Sequence, residues 1–478
     1  MAIIEIHVLG LKISRDVTHM LLTRCSLTTF TSALLSKQSS HRLLPTFIPH
    51  ATTFPKLTNS VSCRMSSTDE VHNSLPTFAD FLHERYQYFS NNPAEVILKA
   101  REQGNLHVIM GNEAGDCDSI ISSLALAYIY SNYEQGKGIY LPLCSINRDD
   151  MSLRRETTLL LERCGINVKQ LIYLDDELIQ ALFFDENSDI SPGSADMTDF
   201  VQITLTDHNR IRSSMRAFSD SVIGIIDHHL DEKYHESAAI RNIAFDAKRQ
   251  KALSGSCCSL VTEELLKVVG TSPIDPALAS ALLGTIVLDT MNMNEKANKG
   301  TERDLSAIRT LEKSSSTILS PDLDSVFSWM NNAKFDRRFW SELSIRDCLR
   351  IDYKLFETDH KRYGISSVLI PINELFEKEG FSKVANEFMH LNELDLLAIM
   401  SMVIVSGMPT RELLLYGSRF EVESMAAFLV NDNDAQVLKV KLSTVTEIDI
   451  DSDIIAQLLS QENPKGSRKQ VAPIMLKK

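Results

Sequence analysis

The sequence predicts an α/β protein in two parts: an N-terminal domain on a parallel sheet with helices on both faces, and a smaller α/β C-terminal domain. Three observations predict it. Short apolar runs stopped by turn or acidic residues recur from Phe78 onward, and runs without alternation mark strands covered on both faces. Amphipathic helical stretches lie between several of them, and alternating strand and helix favours a parallel sheet. A chain of 478 residues, 44% hydrophobic and 23% charged, has apolar surface enough for several packed cores.

Taken in order, Leu106–Met110, Ile139–Leu143, Gln170–Leu174, Val201–Leu205 and Val222–Ile226 read as buried strands. Ser119–Tyr130 and Met151–Cys164 read as helices, the second stopped by Gly165. A polar helical stretch around Ser314–Arg338 leads into a second region. Its strands are Ile365–Ile370, Leu396–Val405 and Glu412–Tyr416, its helices Val384–Asn392 and Arg419–Val430, and it closes on a basic tail, Lys465–Lys469. The expected division is a leader over 1–74, a first domain over 75–325 and a second over 326–478, with the site in the cleft between the two domains.

Charge and cysteine usage narrow the function classes. The formal charge is −14, which argues against a nucleic-acid binder driven by bulk charge. The most apolar stretch, Leu396–Met408, is 13 residues, short of the roughly 20 that cross a bilayer, so no membrane span is expected. Eight cysteines without a CxxC pair read as reduced thiols. Residues 1–64 hold seven basic and two acidic residues, a net of +5 that leaves −19 for the remainder. An acid-poor, Ser/Thr-rich leader is what a mitochondrial transit peptide looks like; a poorly ordered extension, or a true start at Met65, reads equally from the same residues. We expect a cytoplasmic monomer, or a mitochondrial one if the leader directs import.

Four segments place polar residues abruptly after an apolar run: Gly111-Asn112-Glu-Ala-Gly-Asp116-Cys-Asp118-Ser119, Thr206-Asp207-His208-Asn209, Ile226-Asp227-His228-His229 and Ile286-Val-Leu-Asp289-Thr290. Singly each is an ordinary turn or helix cap. Together, all four read as strand ends, which a parallel sheet would bring to one edge, where chemistry on such sheets collects. Asp116, Asp118, Asp207 and Asp289 would then repel one another, at ~5 Å and an effective dielectric of ~20, by about 3 kcal/mol per pair. Two divalent cations would cancel that charge. Carboxylates with an imidazole or two suit Mg²⁺ or Mn²⁺, with Co²⁺ also accommodated, better than a thiolate metal.

These segments resemble the successive motifs of the DHH phosphoesterase superfamily, with Asp227-His228-His229 as the namesake triplet. Asp352-Tyr353-Lys354 and Ser467-Arg468-Lys469 resemble features of the DHHA2-type second domain in its exopolyphosphatase, family II pyrophosphatase and prune-like branch. Gly255-Ser-Cys-Cys-Ser-Leu is similar to a fungal exopolyphosphatase pattern leading into a helix. The resemblance spans roughly 78–478.

It implies Asp116 on one metal, Asp118 on the other and Asp207 bridging, with His228 and Asp289 completing the ligand set of the second ion. It puts His229 on the phosphoryl group, with Asp227 orienting a neighbour and His208 in the phosphate pocket. Lys354, Arg468 and Lys469 would grip the terminal phosphate. Lys296, Lys299 and Arg303 could extend a basic track or form a solvated helix face. The implied activity is release of terminal orthophosphate from linear inorganic polyphosphate by a metal-bound hydroxide. The alternatives are a pyrophosphatase or prune-like nucleotide phosphodiesterase on the same scaffold, or a non-catalytic interaction protein. Asn112 departs from the pyrophosphatase pattern, which has His there, and agrees with fungal-type exopolyphosphatases.

Overall fold

The computed structural model describes residues 75–133, 138–184, 198–270, 272–358, 360–405, 408–449 and 453–478. The expected leader lies outside the described residues. The first part begins with helices α1 (Phe78–Asn91) and α2 (Pro93–Gln103) and strand β1 (Leu106–Met110). Helix α3 (Cys117–Tyr133), β2 (Ile139–Cys144), α4 (Arg155–Arg163), β3 (Ile172–Tyr173) and α5 (Glu177–Phe183) follow, then β4 (Val201–Thr206), β5 (Val222–Asp227) and β6 (Ile240–Ile243). The six strands form one sheet in the order β3-β2-β1-β4-β5-β6, parallel throughout. A small antiparallel pair, β7 (Phe245–Asp246) and β8 (Lys251–Ala252), precedes helices α6 (Cys257–Val269), α7 (Pro276–Asp289), α8 (Glu302–Ser315) and α9 (Leu323–Lys334).

Both sheet faces are buried. Leu106, Val108 and Met110 of β1 pack with α2 and α5, whereas Ile109 faces the core shared by α3, α6 and α7. Helix α3 is buried on every side from Cys117 to Tyr130, which explains why its sequence lacks a polar stripe.

The second part carries helices α10 (Arg337–Glu342) and α11 (Ile345–Arg350), strands β9 (Tyr353–Glu357) and β10 (Arg362–Val368), and helices α12 (Ile372–Phe376) and α13 (Phe381–Leu391). Strands β11 (Leu396–Val405) and β12 (Met408–Ser418), α14 (Arg419–Asn431), β13 (Val440–Asp449), β14 (Ile454–Gln461) and α15 (Arg468–Met475) complete it. Its sheet runs β13-β14-β12-β11-β10-β9, with β10 and β11 parallel and the other pairs antiparallel. Alternate residues of β11 divide between two cores: Ala398 and Met400 pack with α14 and α15, Leu397 and Ile399 with α11 and α13. The two parts are joined by Arg155–Asp336 at 2.6 Å and Arg350–Asp150 at 2.5 Å, and Leu153 packs into the second part's core beside Trp340.

Three expectations are corrected. Asp289 ends a helix, not a strand. Asp275 caps that helix through Ala277 N and Leu278 N, with Pro276 in its first turn. Nearly every residue is buried, so its last turn has the unbroken apolar look of a strand. The expected helix over Met151–Cys164 is broken at Arg154 (φ −100°, ψ 68°) into a 3₁₀ segment and α4. The basic tail is the start of α15, where Ser467 and Gln470 form a capping box.

Candidate metal centre

The loop leaving β1 can only turn here with glycine: a Cβ on Gly111 would stand 2.1 Å from Ser119 Oγ and 2.5 Å from its carbonyl. Asn112 follows, buried, with both ends of its amide in use. Its Oδ1 accepts from Ala114 N (2.9 Å) and Gly115 N (3.3 Å), and its Nδ2 donates to Asp207 Oδ2 (2.7 Å). Asn112 therefore ties the β1 loop to the β4 loop. Arg154, freed by the break before α4, supports the same loop from below through Ala114 O (2.7 Å) and Gly115 O (3.2 Å). Asp116 closes the turn by accepting from Ser119 N (3.1 Å) at the start of α3. It stays open to solvent, and Lys334 and Lys354 hold its carboxyl below the ordinary range despite burial around it.

Asp118, one residue into α3, is held by the N-terminus of α6: Cys257 N at 2.6 Å, Cys258 N at 2.9 Å and Ser256 Oγ at 2.8 Å. Asp207 terminates β4 with φ +62°, a left-handed conformation that short polar side chains tolerate and that clusters at functional sites. The namesake triplet ends β5. Asp227 Oδ1 accepts from His228 N (2.8 Å), His229 N (3.2 Å) and His229 Nδ1 (2.8 Å), while Oδ2 accepts from Asn209 (2.5 Å). Although burial opposes it, the two imidazoles and Asn209 hold the Asp227 carboxyl far below its usual range. With Nδ1–H committed to Asp227, neutral His229 has its lone pair on Nε2.

His228 fixes the polarity of the pocket. Its Nδ1 lies 3.0 Å from Ser254 O, an acceptor only, so Nδ1 carries the hydrogen. Its Nε2 faces Asp207 Oδ1 at 3.3 Å and Asp118 Oδ2 at 3.8 Å. In a neutral ring that sets a lone pair against carboxylate oxygens, an arrangement that either a shared proton or a bound cation relieves. Asp207 Oδ1 and Asp289 Oδ2 are buried and accept no hydrogen bond among the described residues. Burial, then Asp118 and Asp116, push Asp207 up to about 7 and Asp289 well above its ordinary value. Facing Asp207 outweighs burial for His228, which rises to about 9. Ligand atoms of Asp207, His228 and His229 lie within 4.8 Å of one another. Oxygen and imidazole donors with unmatched negative charge fit a divalent cation.

A rim of cations faces these acids. Lys334 ends α9, 3.8 Å from Glu156, and its ammonium is held above its ordinary range, against burial, by Glu156, Asp116, Asp289 and Asp352. Burial and then Arg468 lower Lys354, which also senses Asp207 and Asp116. Burial and Lys469 lower His229 to about 3. Lys299 is exposed at the surface; partial desolvation by the protein beside it lowers its ammonium, which also senses Asp289, Lys334, Lys469 and Arg411. Arg468 spends its guanidinium on Asp352, with Nη2 2.6 Å from Oδ1 and Nη1 2.6 Å from the carbonyl. His208 is pushed down to about 4 by burial, its Nδ1 2.9 Å from Thr206 O. Arg303 is paired with Glu263 (2.7 and 2.5 Å), and Lys296 is exposed. Cys257 and Cys258 are fully buried, and burial raises both thiols.

The expected acids, imidazoles, Asn112, Lys299, Lys354 and Lys469 thus share one neighbourhood. Lys334, Asn209, Arg154 and the Ser254–Cys258 loop were not anticipated. Lys334 has no sequence signal, sitting in a polar helix like any surface lysine. The Gly255-Ser-Cys-Cys segment was visible, but not its grip on Asp118.

A parallel sheet whose strand tips and neighbouring helices gather acids and imidazoles, followed by a second, mostly antiparallel sheet domain, defines a two-domain α/β protein with a candidate metal centre. The DHH family N-terminal domain matches residues 107–286 and the DHHA2 domain matches residues 328–478. The chain belongs to the DHH phosphoesterase superfamily, in the branch that carries DHHA2. It is 26% identical over 380 residues to exopolyphosphatase PRUNE1 of Homo sapiens, covering 78% of this chain and 76% of that protein. It is also 26% identical over 386 residues to a protein of Schizosaccharomyces pombe described as a putative exopolyphosphatase, covering 77% and 89%. The crystal structure of a Methanococcus jannaschii protein described as a putative family II inorganic pyrophosphatase shares the fold, with TM-score 0.51 and 19% identity over 78% of this chain and 99% of that one. Among the described residues no helix is long and apolar enough to cross a membrane.

Proposed function

We propose that the chain is a divalent-metal-dependent exopolyphosphatase that releases terminal orthophosphate from linear inorganic polyphosphate. One feature carries the reading: the charge of lysines from both parts is felt by a pocket of acids and imidazoles, Lys334 and Lys354 by Asp116, Lys469 by the His228–His229 pair, and Asp289 in turn by Lys299. An acidic pocket alone suits a cation and a basic rim alone suits an anion; both together suit a phosphoric anhydride brought to metal. The names of the human and fission-yeast relatives support polyphosphate over other anhydrides.

Asp116, Asp118, Asp207, His228 and Asp289 would hold two ions, Mg²⁺ or Mn²⁺ with Co²⁺ also suited. When bound, the ions polarise the phosphoryl oxygens and acidify water. The chain's residues do the rest. Lys354 and Lys469 draw the chain end in as compact charges, and Arg468, braced on Asp352, keeps both lysine-bearing elements in place. His229 is neutral with Nε2 free; a polyanion against it raises its proton affinity, making Nε2 a donor to the charge that develops on phosphorus. Asp227 holds that ring in register. We assign 75–325 to the catalytic domain and 326–478 to the substrate-binding domain, noting that α9 packs on α4 and α7 of the first.

The test is phosphate release from polyphosphate, pyrophosphate and a cyclic nucleotide, with Mg²⁺ or Mn²⁺ and after metal stripping. Orthophosphate from polyphosphate, lost on stripping and restored by metal, is expected. Faster turnover of pyrophosphate or the cyclic nucleotide would replace the substrate assignment, and no release from any of them would favour a binding protein.

A further inference from the structure

We propose that Asp304, which lies outside the candidate metal ligands, is the positioning residue that sets Asp118 and His228 for metal. The inference rests on the metal-centre reading above. Asp304 is fully buried at the third position of α8 and forms no salt bridge among the described residues. Five donors converge on its carboxylate. Oδ1 accepts from Ser254 Oγ (2.9 Å) and Ser259 Oγ (2.6 Å), and Oδ2 from Gly255 N (2.8 Å), Thr301 N (2.8 Å) and Thr301 Oγ1 (2.7 Å).

Capping α8 explains only the two bonds to Thr301. Of the other three, two hold the loop Ser254-Gly-Ser256 and the third holds Ser259 in the first turn of α6, and that loop is what orients the pocket. Ser254 O receives His228 Nδ1–H, while Ser256 Oγ, Cys257 N and Cys258 N grip Asp118. The loop has no slack: a Cβ on Gly255 would stand 2.6 Å from Lys299 O, 2.9 Å from Thr290 Cγ2 and 3.2 Å from Asp304 Oδ2. One carboxylate thus references the imidazole of β5, the acid of α3 and the helix packed beside the one that ends in Asp289. Outer partners of this kind typically change metal affinity by about 10- to 100-fold when removed.

The experiment titrates the metal-stripped full chain with Mn²⁺, followed by electron paramagnetic resonance, and records its unfolding midpoint. Asp304→Ala should weaken Mn²⁺ binding by about 10- to 100-fold. Thr301→Ala, which removes a cap bond and leaves the loop tethered, should lower the midpoint with affinity changed less than about threefold. Asp304→Asn should recover most of the affinity, because the hydroxyls of Ser254 and Ser259 can turn to accept from its amide. Where Asp304→Ala does not fold, Ser254→Ala/Ser259→Ala removes only the Oδ1 bonds and is expected to weaken binding by about tenfold. Parent-like affinity in Asp304→Ala, or in the serine pair where that is the variant read, reduces Asp304 to a helix cap and overturns the inference. Failure of the parent itself to bind Mn²⁺ instead overturns the metal-centre reading.

Discussion

Replacing Asp207 by Asn should change stability in opposite directions with and without metal. In the metal-free chain, burial and the acids Asp118 and Asp116 raise the Asp207 carboxyl from 3.8 to about 7. A raised acid binds its proton more tightly folded than unfolded. Its contribution is therefore intact below about pH 4 and lost as pH climbs through about 7. His228, raised from 6.5 to about 9, works in the same sense: its contribution is full below 6.5 and lost through 9. Roughly three pH units at ~1.36 kcal/mol each set a ceiling of about 4 kcal/mol for Asp207. Because one proton serves both Asp207 and His228, about 2–4 kcal/mol is expected for the pair rather than a sum.

Asparagine tolerates the left-handed backbone at this position, keeps an oxygen for Asn112, and turns its amide toward His228 Nε2. Metal-stripped Asp207→Asn should consequently be more stable than the parent at pH 8 by about 2–4 kcal/mol, with the gap closing below pH 5. With Mn²⁺ at a thousandfold excess over its dissociation constant the parent gains about 4 kcal/mol, and the variant, one carboxylate short, gains little. Urea unfolding at both pH values, with and without Mn²⁺, reads all four quantities. A stripped variant less stable than the parent at pH 8 would refute the reasoning.

Metal binding should displace the Asp207–His228 proton, so apparent Mn²⁺ affinity rises with pH up to about 9, and near pH 7 the calorimetric heat tracks the buffer's ionisation enthalpy; buffer-independent heats would contradict it. Lys334→Met removes a cation shared by Glu156, Asp116, Asp289 and Asp352. Steady-state assays should show kcat/KM for polyphosphate falling about tenfold, the loss of roughly 1.5 kcal/mol in a charged contact, while titration shows tighter Mn²⁺ binding. Asn112→His replaces an amide that serves Asp207 and two loop amides at once. It should raise pyrophosphate hydrolysis at the expense of long chains, and unchanged relative rates on the two substrates would count against Asn112 as a specificity residue.

Much of this site was legible because its parts are local. The strands ending at Met110, Thr206 and Asp227 are buried on both faces, so their apolar runs end sharply where the acids begin. Asp289 was legible as an acid but not as a helix end, since a helix buried on all sides loses its periodicity. Strands β13 and β14 went unread because one is polar along most of its length and the other is interrupted by Gln457 and Ser460. Lys334, Asn209 and Asp304 act only through partners far away in sequence. Arg468 read as a phosphate grip, and its bond to Asp352, which spans 116 residues, was not legible beside that role. Long-range pairing of that kind leaves no pattern in a single chain.

The central claim is that acids, imidazoles and lysines of one pocket act together on a phosphoanhydride through metal. Following the products of end-labelled polyphosphate by electrophoresis, with metal-stripped protein, after adding Mg²⁺ or Mn²⁺, and with Asp207→Ala, tests it most directly. The account predicts orthophosphate shed from chain ends only when metal is restored, and almost none from the variant. Equal release without metal, or cleavage unaffected by loss of Asp207, would contradict it.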